Sequence, residues 1–175
     1  MPGILQEKER ALASERPACI LRREAVDLTN PVLRKDFLGR ALKGATRGLV
    51  LTEGLLVYLE PAQVRALGSD LAAQTALAWW IADLASPGIL KIMQRRTGPQ
   101  LGPSAQMKFG PAEGVRFFES MGWKPLEIQS FFREAARLKR LPPLLQLLSF
   151  LPDPDPSNPG RRPWGAAVRY RREPA

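Results

Sequence analysis

The sequence contains no histidine and only one cysteine, Cys19. Without histidine or several cysteines the usual zinc sites cannot be built, and serine–histidine catalysis is excluded. A lone cysteine also excludes a disulfide within the chain and fits a reducing compartment. We therefore expect no metal and a cytoplasmic protein.

Long apolar runs are also missing. No stretch reaches the roughly 18 apolar residues that a membrane-spanning helix needs, and residues 1–16 are too charged for a secretory signal. The leucine-rich residues 141–151 are too short to span a bilayer. A membrane-surface helix is one interpretation of them, and a hydrophobic lid or core segment is the favoured one.

Basic residues outnumber acidic ones, 26 to 17, for a net charge of +9. Such a charge attracts nucleic acid, anionic membranes or acidic ligands. The basic residues are interleaved with acids along the chain, however, as on a solvated surface. We expect neither nucleic acid nor a membrane as a partner.

The segment that organises the chain is a short apolar run, residues 48–52, followed by Glu53 and Gly54. It predicts a buried parallel strand, whose carboxyl end is where open α/β sheets bind ligands. Glu60 and Pro61 then begin a helix with Val64, Leu67 and Leu71 at helical spacing. The unit is a strand, an acidic turn and a helix.

Similar patterns recur along the chain and predict an α/β fold with a mostly parallel sheet. The predicted helices include residues 2–13, 31–42 and 111–121. The other predicted strands are in residues 19–29, with the strand ending at Asp27, and residues 75–83, 123–131 and 164–170, the last of them antiparallel.

Three carboxylates, Asp27, Glu53 and Asp83, each end a predicted strand. They would then lie along one edge of the sheet, where they could receive a cationic ligand. Acidic residues after strands also cap helices and start turns, so a structural role is the alternative for each.

The residues 51–59, Leu-Thr-Glu-Gly-Leu-Leu-Val-Tyr-Leu, followed by Glu-Pro and an amphipathic helix, resemble a signature of the leucine carboxyl methyltransferase-like family. Residues 117–123 and 131–140 resemble two later elements of that family, with Lys139 in place of the usual glycine. The family consists of S-adenosylmethionine-dependent O-methyltransferases. The resemblance implies a Rossmann-like class I methyltransferase sheet with an antiparallel carboxyl-terminal strand.

The resemblance also implies functional residues. Asp27 and Leu28 match the pair that binds the adenine of the cofactor S-adenosylmethionine, while Glu53, followed by Gly54, matches the acid near its methionine end. Asp27 and Glu53 would then face a common crevice. Asp83, Arg95 and Arg96 are candidates for the substrate, with a solvated surface as the alternative for the arginines. No side chain is assigned to catalysis.

Compared with the family, the chain would be a single incomplete methyltransferase domain, residues 1–175, without the first two strands and the glycine-rich loop. Residues 86–110 would form a connection over the acceptor site, and residues 132–160 a lid-like insertion with a proline-rich loop. We expect weaker cofactor binding than in a complete domain. Sheet edges exposed by the missing strands could pair with a second copy or a complementing chain.

The first functional hypothesis is methyl transfer to a carboxylate or hydroxyl of a small molecule or protein. The second is a non-catalytic subunit, or a remnant, that pairs with a partner methyltransferase. A basic nucleic-acid-binding protein is the third, which the charge allows and the motifs do not support. The sequence does not name the acceptor.

Overall fold

The computed structural model describes residues 2–97, 100, 102 and 105–173. The chain divides between residues 41 and 42 into two compact units. Whether these units make up one methyltransferase domain stays a prediction. The α-helices in the described residues are α1 (Pro2–Ala11), α2 (Pro31–Ala41), α3 (Pro61–Ala72), α4 (Pro87–Thr97), α5 (Phe131–Arg137) and α6 (Pro143–Leu148).

The first unit contains α1 and α2. Helix α2 begins as predicted, because the side-chain oxygen of Asn30 accepts from the main-chain N–H groups of Val32 and Leu33. The helical spacing of Leu33, Phe37 and Ala41 predicts that they form the buried face of this helix. That prediction is wrong, since Leu33 and Ala41 are exposed and Phe37 is half-buried. The buried residues of α2 are Arg34 and Leu38. Arg34 turns inward because its guanidinium donates to the main-chain oxygen of Leu28 at 2.7 Å.

The predicted strand over residues 19–29 is also wrong. Residues 19–27 are irregular, and Ile20 exposes 91% of its surface. A strand needs a neighbour for its main-chain hydrogen bonds, and the described part of this unit contains no second strand. Asp27 therefore does not end a strand.

The second unit is an α/β structure with an open, mixed, four-stranded sheet. Its strands are β1 (Gly48–Thr52), β2 (Leu77–Ala85), β3 (Trp123–Ser130) and β4 (Gly165–Arg172). The order across the sheet is β1-β2-β4-β3. Strands β1 and β2 are parallel, while β4 lies antiparallel between β2 and β3. All four strands were predicted, and their ends differ by two residues or fewer.

One face of this sheet carries the core. Trp80 of β2 is fully buried and meets Phe118 and Trp123 edge-on, with ring centroids 5.1 and 5.4 Å apart. The predicted apolar face of α3 is buried, as expected. The indole N–H of Trp123 donates to the main-chain oxygen of Gly68 in α3, at 2.9 Å. An aromatic cluster thus holds α3 against the sheet.

Phe118 belongs to a 3₁₀ helix, Gly114–Met121, in place of the helix predicted from Pro111. The chain enters this helix at Gly114, whose φ is +54°. A Cβ at Gly114 would lie 2.0 Å from the main-chain oxygen of Pro156, so the proline-rich loop packs directly on this turn. The predicted end at Gly122 is confirmed, with φ +83°.

The opposite face of the sheet is largely open. Leu49 and Leu51 of β1 expose 56% and 63% of their surface. The buried parallel strand predicted here is therefore buried on one side only. On this face the guanidinium of Arg169 lies over the ring of Trp79, 5.2 Å from its centroid.

Candidate functional site

A cavity of about 250 Å³ lies where β1 and β2 end. Such carboxyl ends are where open α/β sheets bind ligands. Its polar side chains are Asp83 and Tyr58, and its apolar walls include Ile89, Phe109 and Phe131. The cavity is therefore mostly apolar, with one carboxylate.

A depression of similar volume, about 260 Å³, lies beside Arg65 of α3, away from any strand end. Two much larger depressions lie elsewhere. One of about 420 Å³ is lined by charged residues that include Arg116 and Glu119. The other, of about 730 Å³, lies wholly within residues 5–41. Neither is at the end of a strand, so we take the cavity beside Asp83 as the candidate site.

The turn after β1 is fixed to β2 by Asp83. The main-chain N–H of Gly54 donates to Oδ1 of Asp83 at 3.0 Å. Gly54 has φ +59°, a conformation that glycine adopts without steric cost. Asp83 itself lies within β2, two residues before the strand ends, and not at its last position as predicted. The hydrogen bond keeps this carboxylate at the cavity wall.

The wall opposite the strands comes from α4, which is anchored by Ser86. The hydroxyl of Ser86 donates to the main-chain oxygen of Arg162 at 2.6 Å and accepts from the N–H groups of Trp164 and Ile89. Ser86 is fully buried, and Ile89 lines the cavity. This serine therefore sets the position of α4.

Phe109 is held in the wall through the main chain. The N–H groups of Lys108 and Phe109 both donate to the oxygen of Val57, at 2.6 and 3.1 Å. The ammonium of Lys108 also pairs with Glu60 at 2.9 Å. These contacts hold Phe109 beside Tyr58.

Glu53 and Gly54 occupy the predicted turn. Gly54 lines the cavity, whereas Glu53 is exposed and is not among the lining residues. In the part of the chain that the structure describes, no ion pair or hydrogen bond of the Glu53 side chain is seen. Glu53 is next to the lining residue Gly54 in sequence, and its role at a cofactor stays a prediction.

Asp27 and Leu28 lie in the first unit. Oδ1 of Asp27 accepts from the hydroxyl and the main-chain N–H of Thr29, at 2.6 and 2.9 Å. These hydrogen bonds, that of the hydroxyl first, hold the pKa of Asp27 below its usual value. Asp27 therefore has the turn-forming role that was the alternative for it. That it shares a crevice with Glu53 and binds adenine stays a prediction.

Arg95 and Arg96 are exposed in the last turn of α4. They do not line the cavity, whose α4 residues are Ile89 and Met93. The predicted connection after α4 includes residues 98, 99, 101, 103 and 104, which lie outside the described residues. A substrate role of the arginines stays a prediction.

Sequence reasoning missed Ser86, Phe109 and Phe131. The Ser86-Pro87 pair before a helix is a start signal that could have identified Ser86 as a cap. Phe109 and Phe131 carry no such local signal, because tertiary packing alone brings them to the cavity.

Within the described residues, no cluster of three or more potential metal ligands is found. Among the helices described, none is long and apolar enough to cross a membrane. A scan against models of protein families finds no matching family, and a search of curated proteins finds no match.

Proposed function

We propose that this chain acts in S-adenosylmethionine-dependent O-methyl transfer, as the resemblance of residues 51–59 implies. The observation that carries the proposal is the cavity beside Asp83, which is lined by Gly54, Val57 and Tyr58 of this motif and lies at the ends of two parallel strands. The acceptor would be a carboxylate or a hydroxyl of a small molecule or protein.

The fold supports the proposal. A class I methyltransferase sheet is mostly parallel with an antiparallel carboxyl-terminal strand, and β4 has that orientation. Such a likeness of architecture supports a fold and does not by itself assign an activity.

The residues of the cavity suit the charged end of the cofactor. Asp83 supplies a negative charge, and Tyr58, Phe109 and Phe131 supply aromatic rings. Carboxylates and aromatic faces both attract ammonium and sulfonium groups. The volume of about 250 Å³ is below the roughly 300–1,000 Å³ of complete small-molecule sites. The cavity therefore fits part of the cofactor.

When bound, S-adenosylmethionine supplies a methyl group that its positive sulfur has already activated. The protein then has to position the acceptor and exclude water. Here Phe109, Phe131 and Ile89 would keep the acceptor oxygen dry, while Asp83 and Glu53 would orient the cationic groups. A carboxylate acceptor has no proton to lose, so the absence of histidine is compatible with this chemistry.

Calorimetric titration of Asp83→Asn tests the proposal. The asparagine keeps an oxygen for the N–H of Gly54 but loses the charge. We expect measurable but weak binding of S-adenosylmethionine, and a loss of roughly tenfold in the variant. S-adenosylhomocysteine lacks the positive sulfur, so its affinity should fall less. Glu53→Gln should behave in the same way.

Glu9→Gln, which removes an exposed carboxylate from α1, is the matched control and should bind as the wild type does. Asp27→Ala tests the adenine contact and should abolish binding. Equal affinities of the wild type, Asp83→Asn and Glu53→Gln would contradict the proposal. An Asp27→Ala variant with unchanged affinity would reject only the role of Asp27.

A second candidate function is that of a non-catalytic subunit which pairs with a partner methyltransferase. The observation that favours it is β1, which ends the sheet and exposes Leu49 and Leu51. An exposed apolar edge strand is a template for another chain. In sedimentation velocity, Leu51→Lys should abolish an association that the wild type shows, and a monomeric wild type would count against self-pairing.

A further inference from the structure

The chain after α5 exposes an unusual group of large apolar side chains, here called the leucine patch: Leu144, Leu147, Leu148, Phe150 and Leu151. Their exposed fractions are 73%, 69%, 46%, 85% and 60%. The patch belongs neither to the core nor to the cavity beside Asp83. The core interpretation of these leucines is therefore wrong.

Helix α6 is oriented with its polar side chain inward. Leu144, Leu147 and Leu148 fall on one side of the helix at spacings of three and four residues. Gln146, on the opposite side, donates from Nε2 to the main-chain oxygen of Ala136 in α5, at 3.4 Å. In the described chain the other amide atom of Gln146, Oε1, is buried without a hydrogen bond. The leucines thus face outward, although this orientation leaves a buried oxygen of Gln146 without a hydrogen bond.

The patch is fixed to the protein by Arg133. The guanidinium of Arg133 donates to the main-chain oxygens of Ser149 and Leu151, at 3.0 and 2.9 Å. It also pairs with Asp153 at 3.4 Å. These contacts hold the carboxyl-terminal end of the apolar segment to α5.

Basic residues flank the patch. Arg137 pairs with Glu134, whereas Lys139 and Arg140 have no ion pair in the described part of the chain. Lys139 has φ +55°, the only described residue other than glycine with a positive φ. Its N–H and that of Arg140 bond back to Ala136 and Ala135, which closes α5 in the way a glycine usually does. A lysine there is conformationally costly.

We infer that the leucine patch and its flanking cations dock on an anionic lipid surface. Outward apolar side chains next to unpaired Lys and Arg residues are the combination that binds such a surface. A second copy of this chain would bring the same cations together on a chain of net charge +9, which opposes self-association through this patch. The short helix would lie in the interface and not cross it.

Vesicle flotation of the whole chain tests the inference. We expect the wild type to float with mixed phosphatidylcholine and phosphatidylglycerol vesicles, and less with phosphatidylcholine alone. Added salt should weaken binding by screening. The double variant Leu144→Ser/Leu147→Ser should bind at least roughly tenfold more weakly, since two large apolar side chains are removed.

Val32→Ser is the matched control. Val32 exposes 74% of its surface and, like Leu144, follows a proline at the start of a helix. It should float as the wild type does. The inference would be overturned if the wild type floats with neither kind of vesicle. It would also be overturned if the double variant floats as well as Val32→Ser. Self-association through Leu144 and Leu147 in place of vesicle binding would overturn it as well.

Lys139→Gly separates the lipid role from folding. Glycine suits the positive φ, so this variant should unfold at a higher urea concentration than the wild type. It should nevertheless bind anionic vesicles roughly fivefold more weakly, because one interfacial cation is lost. Lys139→Arg should keep vesicle binding. Unchanged binding of Lys139→Gly would show that this cation has no part in docking and would overturn the electrostatic half of the inference.

Discussion

The main-chain N–H of Gly54 and Oδ1 of Asp83, 29 residues apart in sequence, form a hydrogen bond of 3.0 Å. It joins the turn after β1 to β2 at the wall of the cavity. The bond depends on the φ of +59° at Gly54. The shape of the site therefore requires glycine at position 54 because of its backbone conformation, and not because space for a side chain is lacking.

Gly54→Ala should lower the free energy of unfolding by about 1–2 kcal/mol, the usual cost of a left-handed residue with a Cβ. A clash is not the cause, since a Cβ at Gly54 meets nothing within 4 Å. Gly54→Asn should lose less, because asparagine tolerates this conformation. Urea unfolding measures both, and an alanine variant as stable as the asparagine variant would contradict the strain argument.

The start of α4 allows a second prediction. A Cβ on Gly88 would lie 2.4 Å from the main-chain oxygen of Arg161. The clash is with backbone and cannot be relieved by a side-chain rotation. Gly88→Ala should therefore destabilise the protein by about 1–3 kcal/mol and shift Ile89 in the cavity wall.

Gly3→Ala is its matched control, because Gly3 and Gly88 occupy the same place in two Pro-Gly-Ile-Leu sequences at helix starts. Nothing lies within 4 Å of a Cβ at Gly3. This variant should be as stable as the wild type or slightly more stable. Similar losses in the two variants, measured by urea unfolding, would show that packing against Arg161 is not the cause.

The aromatic cluster allows a third prediction. Trp123→Phe removes the indole N–H that donates to Gly68 and leaves a gap in a fully buried place. We expect a loss of about 2–4 kcal/mol in the free energy of unfolding. Trp79→Phe, on the open face of the sheet, should cost less than about 1 kcal/mol. Equal losses in denaturant titrations would contradict this account of the core.

The strands of the second unit could be predicted because each has both a local pattern and a neighbour to pair with. Gly48–Thr52 and Leu77–Ala85 are such strands. Residues 19–27 have a strand-like composition, but no strand pairs with them in the described part of the chain, so the composition predicted a strand that does not form. Likewise, the burial of Arg34 in place of Leu33 depends on the carbonyl of Leu28, which no helical periodicity encodes.

Part of the candidate site could also be predicted. The strand patterns predict which residues lie at the carboxyl ends of the strands. Gly54 and Asp83 are two of these residues, and both line the cavity. Phe109 and Phe131 reach it only through packing, and residue spacing contains no information on such contacts. The outward leucines of α6 show the opposite error. An apolar run predicts burial, whereas tertiary packing leaves these side chains exposed.

Asp27 allows a prediction on pH. Its hydrogen bonds with the hydroxyl and N–H of Thr29 lower the pKa of Asp27 in the folded chain. The folded pKa is then below the unfolded one. The hydrogen bonds therefore stabilise the fold at pH values above the ordinary aspartate pKa, and this stabilisation is lost as the pH falls through the lowered pKa.

Thr29→Val removes the hydroxyl, the larger cause of the shift, and keeps the main-chain N–H. The pKa of Asp27 should rise toward its ordinary value without reaching it. The stabilisation should then be smaller, and its loss on acidification should be complete at a higher pH. Thr29→Ser keeps a hydroxyl and should titrate like the wild type. Carboxyl-carbon NMR measures the pKa directly. If Asp27 titrates at the same pH in the wild type and in Thr29→Val, the hydroxyl does not hold the carboxylate in solution, and Asp27 is more available to a ligand than the folded turn indicates.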